Sequence, residues 1–358
     1  MKLVFDARFI RPDRHDGISR FSTELIKSIS SVMKLTVLVS SLNQLEKLPQ
    51  GISYLLVNQP TNPLKELLLP GKLNRFGATH VFSPMQTMGS IGRRYKLVLT
   101  QHDLIYYRHL APPGWFNPLI KIVWRLYHLS YIPGRILLNR SDGVVTVSNT
   151  SKQLIERHGL TKKPVEVIYN APLRLNGIEL KKAEWAGPNK RLIYMGSFMD
   201  YKNVQVLVKA LRFLPEINLL LLSKATKAQK DSLLSYAVGF ESRIEFADGV
   251  SDNEYHELLG SSLALVSASK DEGFGIPLVE AMQQGLPIVV SDIPIFREIA
   301  GSAGSYFDPD SPEDLAARIL ELANQKTWGQ ASQAGLERAK EFDWDESAKK
   351  LVNFLESI

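Results

Sequence analysis

Short apolar segments rich in β-branched residues recur along the chain, and each is followed by turn residues or by a helical pattern. Such segments predict the strands of a parallel sheet that helices cover on both faces. Six lie in the first half, at 2–5, 35–39, 53–57, 80–83, 97–101 and 144–147, and five in the second, at 192–195, 219–222, 244–246, 264–266 and 288–290. The pattern predicts an α/β protein with two doubly wound parallel sheets.

The length of the chain indicates two domains. It has 358 residues, more than one hydrophobic core usually contains. Residues 171–190 include two prolines and two glycines, which is typical of a linker. We therefore expect one Rossmann-like domain over residues 1–170 and another over 191–339, facing each other across a cleft. Ligands of doubly wound sheets bind beyond the carboxyl ends of the strands, so a site in this cleft would collect residues from several strand ends.

Composition narrows the class of protein further. The chain has no cysteine, which excludes disulfides and thiol catalysis and fits a reducing compartment. The apolar run at the N-terminus is too short for a signal peptide, and no apolar stretch reaches the roughly 18 residues of a membrane-spanning helix. We therefore expect a cytoplasmic protein.

Charge is distributed unevenly between the two halves. Residues 1–170 carry 23 Lys and Arg against 10 Asp and Glu, whereas residues 171–358 carry 20 against 27. The basic residues are spread out rather than clustered, so we expect no nucleic acid partner. An anionic bilayer, a lipid-linked phosphate and a basic surface that contacts only water all remain open. The aromatic and basic stretch from Trp115 to Leu138 fits a membrane interface and also fits packing within the first domain.

The segment at residues 271–280 carries the most chemical information. It reads Asp-Glu-Gly-Phe-Gly-Ile-Pro-Leu-Val-Glu, in which the glycines leave backbone N–H groups accessible and the proline suits the first turn of a helix. This predicts a loop that opens onto a helix N-terminus, which favours phosphate. Glu272 and Glu280 have the wrong charge to bind phosphate, so we expect them to accept hydrogen bonds from hydroxyl groups. A nucleotide-activated sugar offers both groups, although spacing alone also fits glutamates that cap the helix.

This segment resembles the paired-glutamate motif of the retaining glycosyltransferases of family 4, the group 1 enzymes with the GT-B fold. The resemblance implies that Glu280 binds the ribose hydroxyls and that Glu272 contacts the donor sugar. It also implies that the N–H groups of Phe274, Gly275 and Ile276 hold the diphosphate or the sugar. Residues 336–358 have a helical pattern, and in the family a C-terminal helix, here at about 340–358, crosses back to the first domain.

Three other segments match the family. His102 follows a predicted strand at the position where family members contact the donor sugar. Gly17 lies in a polar loop that resembles the loop approaching the diphosphate. Gly196 and Lys202 match a phosphate-binding pattern in which the lysine enters a helix and neutralises the leaving group, but Ser197 replaces the arginine of many members. The predicted catalytic residues are His102, Glu272 and Lys202, and the predicted donor-binding residues are Gly17, Gly196, Ser197, Lys202, Phe274, Gly275, Ile276 and Glu280.

Two Asp-x-Asp segments invite comparison with metal-dependent transferases. The first, Asp308-Pro309-Asp310, precedes Ser311 and Pro312, which predicts a turn and a helix cap instead, and we interpret Asp343-Trp344-Asp345 in the same way. No other group of carboxylates or histidines has metal-ligand spacing. We therefore predict transfer without a metal ion and without a cofactor beyond the nucleoside diphosphate sugar substrate.

The resemblance implies a retaining hexosyltransferase that uses GDP-mannose or, as the next choice, a UDP-sugar. Its acceptor would be a glycan or a lipid-linked glycan of bacterial polysaccharide synthesis, as for the O-antigen mannosyltransferases that the motifs resemble. From composition we expect a cytoplasmic location, and the basic first half leaves peripheral contact with the inner membrane face open. A sugar-nucleotide epimerase or hydrolase on the same fold stays open. So does a non-catalytic nucleotide-sugar-binding protein, which Ser197 favours.

Overall fold

The chain folds into two compact units. The computed structural model describes residues 1–12, 16–112, 116–174, 181–185 and 191–358. The first unit comprises Met1–Leu173 and Asp343–Ile358, and the second comprises Arg174–Phe342. Residues 175–180 and 186–190 of the predicted linker lie outside the described residues.

The first unit contains a seven-stranded parallel sheet in the order β3-β2-β1-β4-β5-β6-β7. Three of its inner strands, β1, β2 and β6, are wholly buried, because helices cover both faces. The strands are β1 (Leu3–Asp6), β2 (Leu35–Val39), β3 (Ser53–Leu56), β4 (His80–Ser83), β5 (Lys96–Thr100), β6 (Gly143–Thr146) and β7 (Val165–Val167). The helices between them are α1 (Gly17–Val32), α2 (Pro63–Phe76), α3 (Ile105–Arg108), α4 (Pro118–His128), α5 (Ile132–Leu138) and α6 (Asn149–Arg157).

The second unit contains a six-stranded parallel sheet in the order β10-β9-β8-β11-β12-β13. The strands are β8 (Arg191–Tyr194), β9 (Asn218–Leu221), β10 (Ile244–Phe246), β11 (Ala264–Ser267), β12 (Ile288–Ser291) and β13 (Gly304–Phe307). The helices are α7 (Val204–Ala210), α8 (Lys227–Leu234), α9 (Asp252–Gly260), α10 (Ile276–Gln283), α11 (Pro294–Ala300), α12 (Pro312–Leu322) and α13 (Gln325–Ala339). Both strand orders reverse beside the first strand of the unit, as in Rossmann-like domains.

The predicted fold class is confirmed. Every predicted strand is present, and each end lies within one residue of its predicted position. The sequence pattern missed β7 and β13. Both are edge strands with half-exposed residues, so neither shows an uninterrupted apolar run.

The helical pattern over residues 336–358 divides between two helices. Helix α13 ends at Ala339, and a separate helix, α14 (Trp344–Ser357), follows. The Asp343 carboxylate starts the new helix by accepting hydrogen bonds from the N–H groups at positions 345 and 346. Helix α14 belongs to the first unit and packs against α1. Its buried Trp344 indole donates to the carbonyl of Pro172 at 2.9 Å.

None of the helices in the described residues is both long enough and apolar enough to cross a bilayer.

Candidate active site

The predicted loop that opens onto a helix N-terminus is confirmed in the second unit. Helix α10 begins at Ile276, with Pro277 in its first turn and Gly275 as its N-cap residue. The first N–H groups of a helix have no acceptor within it, and the helix dipole makes this end positive. The start of α10 therefore suits an anionic group, as the sequence predicts.

Gly275 is required by the backbone at this point. Its φ of 101° lies in a region that side chains with a Cβ rarely adopt. A Cβ there would also lie 3.2 Å from Cε1 of Phe296. The neighbouring Phe274 is buried, and its ring meets Phe342 edge-on at a centroid distance of 5.6 Å. The loop before α10 is therefore held by apolar packing beneath it.

We expect Gly275→Ala to lower the free energy of unfolding by about 1–3 kcal/mol, because of backbone strain and crowding. The matched control is Gly329→Ala, within α13, where an added Cβ meets nothing within 4 Å. That change should raise stability by up to about 1 kcal/mol, since alanine favours a helix interior. Urea unfolding followed by circular dichroism measures both. Equal effects of the two substitutions would contradict this account of the loop.

Glu272 is joined to Lys202 by an ion pair. The ammonium of Lys202 donates to Oε1 of Glu272, and the hydroxyl of Ser269 donates to the same oxygen at 2.9 Å. Both charged side chains are mostly buried, with about 15% of their surface exposed. Glu272 thus bonds to Lys202 and Ser269, and α10 has no side-chain cap hydrogen bond. The pair links the loops that follow β8 and β11, which are neighbours in the sheet.

The prediction that Lys202 enters a helix is wrong. Lys202 ends a single 3₁₀ turn, and Asn203 then adopts a left-handed conformation with a φ of 54° before α7 begins. Asparagine tolerates this conformation better than most residues. Its buried side chain donates to the carbonyl of Pro309 at 2.6 Å. Lys202 is therefore presented by an anchored turn, and its ammonium points to the Glu272 carboxylate.

The structure explains why residue 196 is a glycine. The hydroxyl of buried Tyr194 donates to the carbonyl of Ser197 at 2.7 Å. A Cβ on residue 196 would lie 2.6 Å from that hydroxyl oxygen. Burial raises the pKa of Tyr194 well above its ordinary value, and the charge of Glu272 adds to the effect, so the phenol stays a donor. The side chain of Ser197 is exposed at this turn.

Glu280 lies inside α10 and is only 1% exposed. It is the fifth of the eight residues of α10, so it lies beyond the first turn, where the helix dipole would favour a carboxylate. Because α10 itself carries Gly275, Ile276 and Glu280, their relative positions are fixed by one rigid element. The second-unit residues of the candidate site therefore lie in the loops after β8 and β11, which are neighbouring strands, and on α10, which follows β11.

His102 lies in the first unit, directly after β5. Its Nε2 is 2.9 Å from the carbonyl of Pro84, and its ring meets Phe21 edge-on at a centroid distance of 5.2 Å. Burial lowers the pKa of His102 to about 4, although the Pro84 carbonyl and Asp16 favour the charged form. A carbonyl can only accept, so Nε2 carries the proton and the neutral ring leaves Nδ1 as an acceptor. The carboxylate of the next residue, Asp103, accepts from the N–H of Ile105 at 2.9 Å.

The depressed pKa of His102 predicts a pH dependence of stability. The folded protein keeps the ring neutral down to about pH 4, whereas the unfolded chain protonates it near the ordinary value of 6.5. Between these values the unfolded state binds more protons, so this contribution to the free energy of unfolding is lost as the pH falls. The stability difference between wild type and His102→Asn should shrink over this range in urea titrations. A difference that stays constant would contradict the assignment.

Gly17 is the first residue of α1, and Asp16 caps that helix by accepting from the N–H of Ser19 at 2.9 Å. The loop before it contains residues 13–15, which lie outside the described residues. Phe21, one turn along α1, contacts His102. The structure thus places Gly17 on the helix that packs against the histidine.

A buried charged network at the end of β1 was missed by the sequence prediction. Arg8 forms two hydrogen bonds to the carboxylate of Asp6, at 2.7 and 2.8 Å, and also bonds to Glu66 of α2. Asn58 and the N–H of Gly89 donate to the Glu66 carboxylate at 2.6 and 3.2 Å. Burial alone would lower the pKa of Arg8, but the two carboxylates raise it. The signal in the sequence was an Asp-x-Arg directly after the first strand.

The interpretation of the Asp-x-Asp segments as turns and caps is confirmed. The N–H of Asp310 donates to the carboxylate of Asp308 at 2.9 Å, and Ser311 caps α12 by accepting from the N–H of Asp314. Over the described ranges, no group of three or more acidic or histidine side chains is placed to hold a metal ion.

Comparison with known proteins places these features in a family. The model of the "Glycosyl transferases group 1" family matches residues 178–342, and that of "Glycosyltransferase Family 4" matches residues 54–171. The chain is 30% identical over 191 residues to the O-antigen chain mannosyltransferase RfbU of Salmonella typhimurium, covering 52% of this chain and 53% of the relative. It is 25% identical over 199 residues to the GDP-mannose:cellobiosyl-diphosphopolyprenol alpha-mannosyltransferase of Komagataeibacter xylinus, covering 51% and 49%.

The chain thus spans about half the length of these curated relatives. Among solved structures, Anabaena Alr3699/HepE, crystallised with UDP and glucose, superimposes with a TM-score of 0.74 at 20% identity and covers 100% of both chains. This likeness shows the fold. The two family models, which together match residues 54–171 and 178–342, show that the chain belongs to the group 1 glycosyltransferases of family 4, and its fold is GT-B.

Proposed function

We propose that this chain transfers a hexose from a nucleoside diphosphate sugar to a glycan or lipid-linked glycan, with retention of configuration. The observation that carries the proposal is the Lys202–Glu272 ion pair in the loops after β8 and β11, in the same unit as the N-terminus of α10. A cation, a helix end and a carboxylate are the groups that a diphosphate and a sugar hydroxyl require.

The ion pair gives both side chains a defined role in donor binding. Oxygen atoms of the diphosphate would compete with Glu272 for the ammonium of Lys202. As the ammonium turns to the phosphate, the Glu272 carboxylate becomes available to accept from a hydroxyl of the donor sugar. Glu280, held on α10, would accept from the ribose hydroxyls. The pair thus keeps two charged groups in place before the donor arrives, which is the preorganisation that electrostatic catalysis needs.

The proposed reaction needs no nucleophile from the protein. The bond between the anomeric carbon and the diphosphate oxygen breaks, and the electron pair leaves with the diphosphate. The acceptor hydroxyl attacks the same face of the sugar, and its proton passes to an oxygen of the departing diphosphate. Lys202 would stabilise the charge on that leaving group. Because Ser197 stands where many members have arginine, we assign this task to Lys202 and the start of α10.

His102 would act as a hydrogen-bond acceptor rather than as a general acid. Its Nε2–H is committed to the Pro84 carbonyl, and the ring is neutral at physiological pH. Nδ1 can then accept from a hydroxyl of the donor sugar.

The names of the relatives support a choice of donor and acceptor. Both are mannosyltransferases, and the Komagataeibacter xylinus enzyme is named for GDP-mannose and for an acceptor linked to a diphosphopolyprenol. We therefore propose GDP-mannose as the first candidate donor and a lipid-linked glycan as the acceptor, with UDP-sugars as the second candidate donor. A lipid-linked acceptor lies at a bilayer, and the basic balance of residues 1–170 supports peripheral contact with an anionic one.

Thermal unfolding with a panel of nucleotide sugars tests the donor. A cognate sugar nucleotide at about 100 times its dissociation constant should stabilise the protein by about 2.7 kcal/mol. We expect GDP-mannose to do so more than UDP-glucose. Glu280→Gln should lose most of this stabilisation, whereas the control Glu321→Gln, exposed on α12, should keep it. The proposal fails if no nucleotide sugar stabilises the wild-type protein.

A further inference from the structure

Helix α4 is apolar but has no buried residue. Leu119, Ile122, Val123 and Leu126 each expose 55–71% of their surface. In a helix these positions, spaced by three and four residues, share one face. Exposed aliphatic residues are common singly, but a continuous face of them indicates an interaction surface.

The opposite side of α4 explains why this face points outwards. The ring of Trp124 meets that of Tyr106 edge-on at a centroid distance of 4.9 Å. The ring centroids of His128 and Tyr107 are 5.1 Å apart. These contacts fix the rotation of the helix on the first unit. Internal packing therefore uses the aromatic side of α4 and leaves its aliphatic side uncovered.

Exposed aliphatic residues continue along the chain after α4. Leu129, just after α4, is 65% exposed, and Ile132 and Ile136 of α5 are 58% and 51% exposed. We call these three residues, together with Leu119, Ile122, Val123 and Leu126, the aliphatic face.

The charged residues of the segment that carries the aliphatic face are all basic. Residues 104–141 contain five Lys and Arg and no Asp or Glu. Lys121 and Arg125 lie on α4 itself, and Arg135 lies on α5. Apolar residues flanked by basic ones are the composition of helices that lie in the interface of an anionic membrane. With 11 residues, α4 is far too short to span a bilayer, so it would lie in the plane of the interface.

We propose that the aliphatic face docks on a lipid bilayer that contains anionic lipid, with the neighbouring basic residues on the lipid phosphates. A second copy of the chain is a poorer occupant. A two-fold symmetric contact would bring the basic residues around this face against their own copies, with no acidic residue in the segment to offset them. The docking rests on the membrane contact that the proposed function includes, but it requires neither a donor nor the transfer reaction, so its failure can be told apart from a failure of sugar transfer.

Sedimentation of the full chain with lipid vesicles tests the proposal. The protein should bind vesicles of equal parts phosphatidylcholine and phosphatidylglycerol, bind pure phosphatidylcholine weakly, and lose binding as salt is raised. The triple variant Leu119→Ser/Val123→Ser/Leu126→Ser should bind at least about tenfold more weakly. The double variant Lys121→Gln/Arg125→Gln should bind about tenfold more weakly and depend less on salt.

The matched control is Val238→Ser/Leu320→Ser, which removes two aliphatic side chains of the second unit that are 75% and 54% exposed. It should bind vesicles as the wild type does, and circular dichroism melts should show that all variants are folded. Failure of the wild type to bind anionic vesicles would overturn the proposal, as would equal binding by the triple variant and the control. A wild-type dimer in light scattering that becomes monomeric in the triple variant, without vesicle binding, would assign the face to a second copy instead.

Discussion

Replacing Lys202 with alanine is expected to lower kcat for sugar transfer by about 100- to 1,000-fold, while the affinity for the donor changes much less. The reason is that the charge on the diphosphate grows as the bond to the sugar breaks, so a nearby cation stabilises the transition state more than the bound donor. Ser197 leaves the position after Gly196 without the arginine of many relatives, which increases the dependence on Lys202. Steady-state kinetics with varied donor concentration measure both parameters.

The control for this substitution is Lys340→Ala, which breaks an exposed Lys–Glu pair of 2.7 Å at the end of α13. It should change kcat by less than about twofold, since exposed pairs contribute little. The Glu272→Gln variant distinguishes two possible roles of the Glu272 carboxylate. A carboxylate that accepts from a sugar hydroxyl predicts a partial loss of turnover, whereas a nucleophile would lose essentially all of it. If Lys202→Ala behaves like Lys340→Ala, the lysine does not serve the leaving group.

Replacing Arg8 with methionine is expected to lower the free energy of unfolding by about 3–5 kcal/mol. The guanidinium is wholly buried between the carboxylates of Asp6 and Glu66, so its removal leaves two like charges without their cation. Breaking a buried network on one side costs far more than breaking an exposed pair. Urea unfolding at neutral pH measures the difference.

Two comparisons sharpen this test. Arg297→Met removes an exposed arginine that forms two 2.7 Å hydrogen bonds to Asp292, and it should cost about 1 kcal/mol. The neutral triple variant Arg8→Met/Asp6→Asn/Glu66→Gln should recover part of the loss, because it removes the repulsion between the buried carboxylates. A single Arg8→Met variant as stable as the Arg297→Met variant would show that the network contributes little.

The sequence predicted the strands well because most inner-strand residues are buried, which makes those strands largely apolar. It failed for β7 and β13, whose exposed edges allow polar residues. The break between α13 and α14 coincides with the predicted cap at Asp343, whose carboxylate accepts from the first N–H groups of α14.

In the candidate site, the start of α10 could be predicted from adjacent residues, but the ion pair between distant residues could not. A glycine, an isoleucine and a proline in succession were sufficient to predict the start of α10. The ion pair between Lys202 and Glu272 joins residues 70 positions apart, so it depends on β8 and β11 being neighbours. The turn at Lys202 likewise depends on Asn203, whose side chain is held by the distant carbonyl of Pro309. A single sequence without its sheet order carries no such information.

The central claim is tested most directly by incubating the chain with carbon-labelled GDP-mannose and a saccharide linked to polyprenyl diphosphate. The account predicts that label passes to the lipid-linked product with the anomeric configuration of the donor retained, that one GDP is released for each sugar transferred, and that Lys202→Ala nearly abolishes both. Release of GDP and free mannose at the same rate without the acceptor would identify a hydrolase instead. No transfer and no release from either GDP-mannose or UDP-sugars would contradict the claim that the chain is a glycosyltransferase.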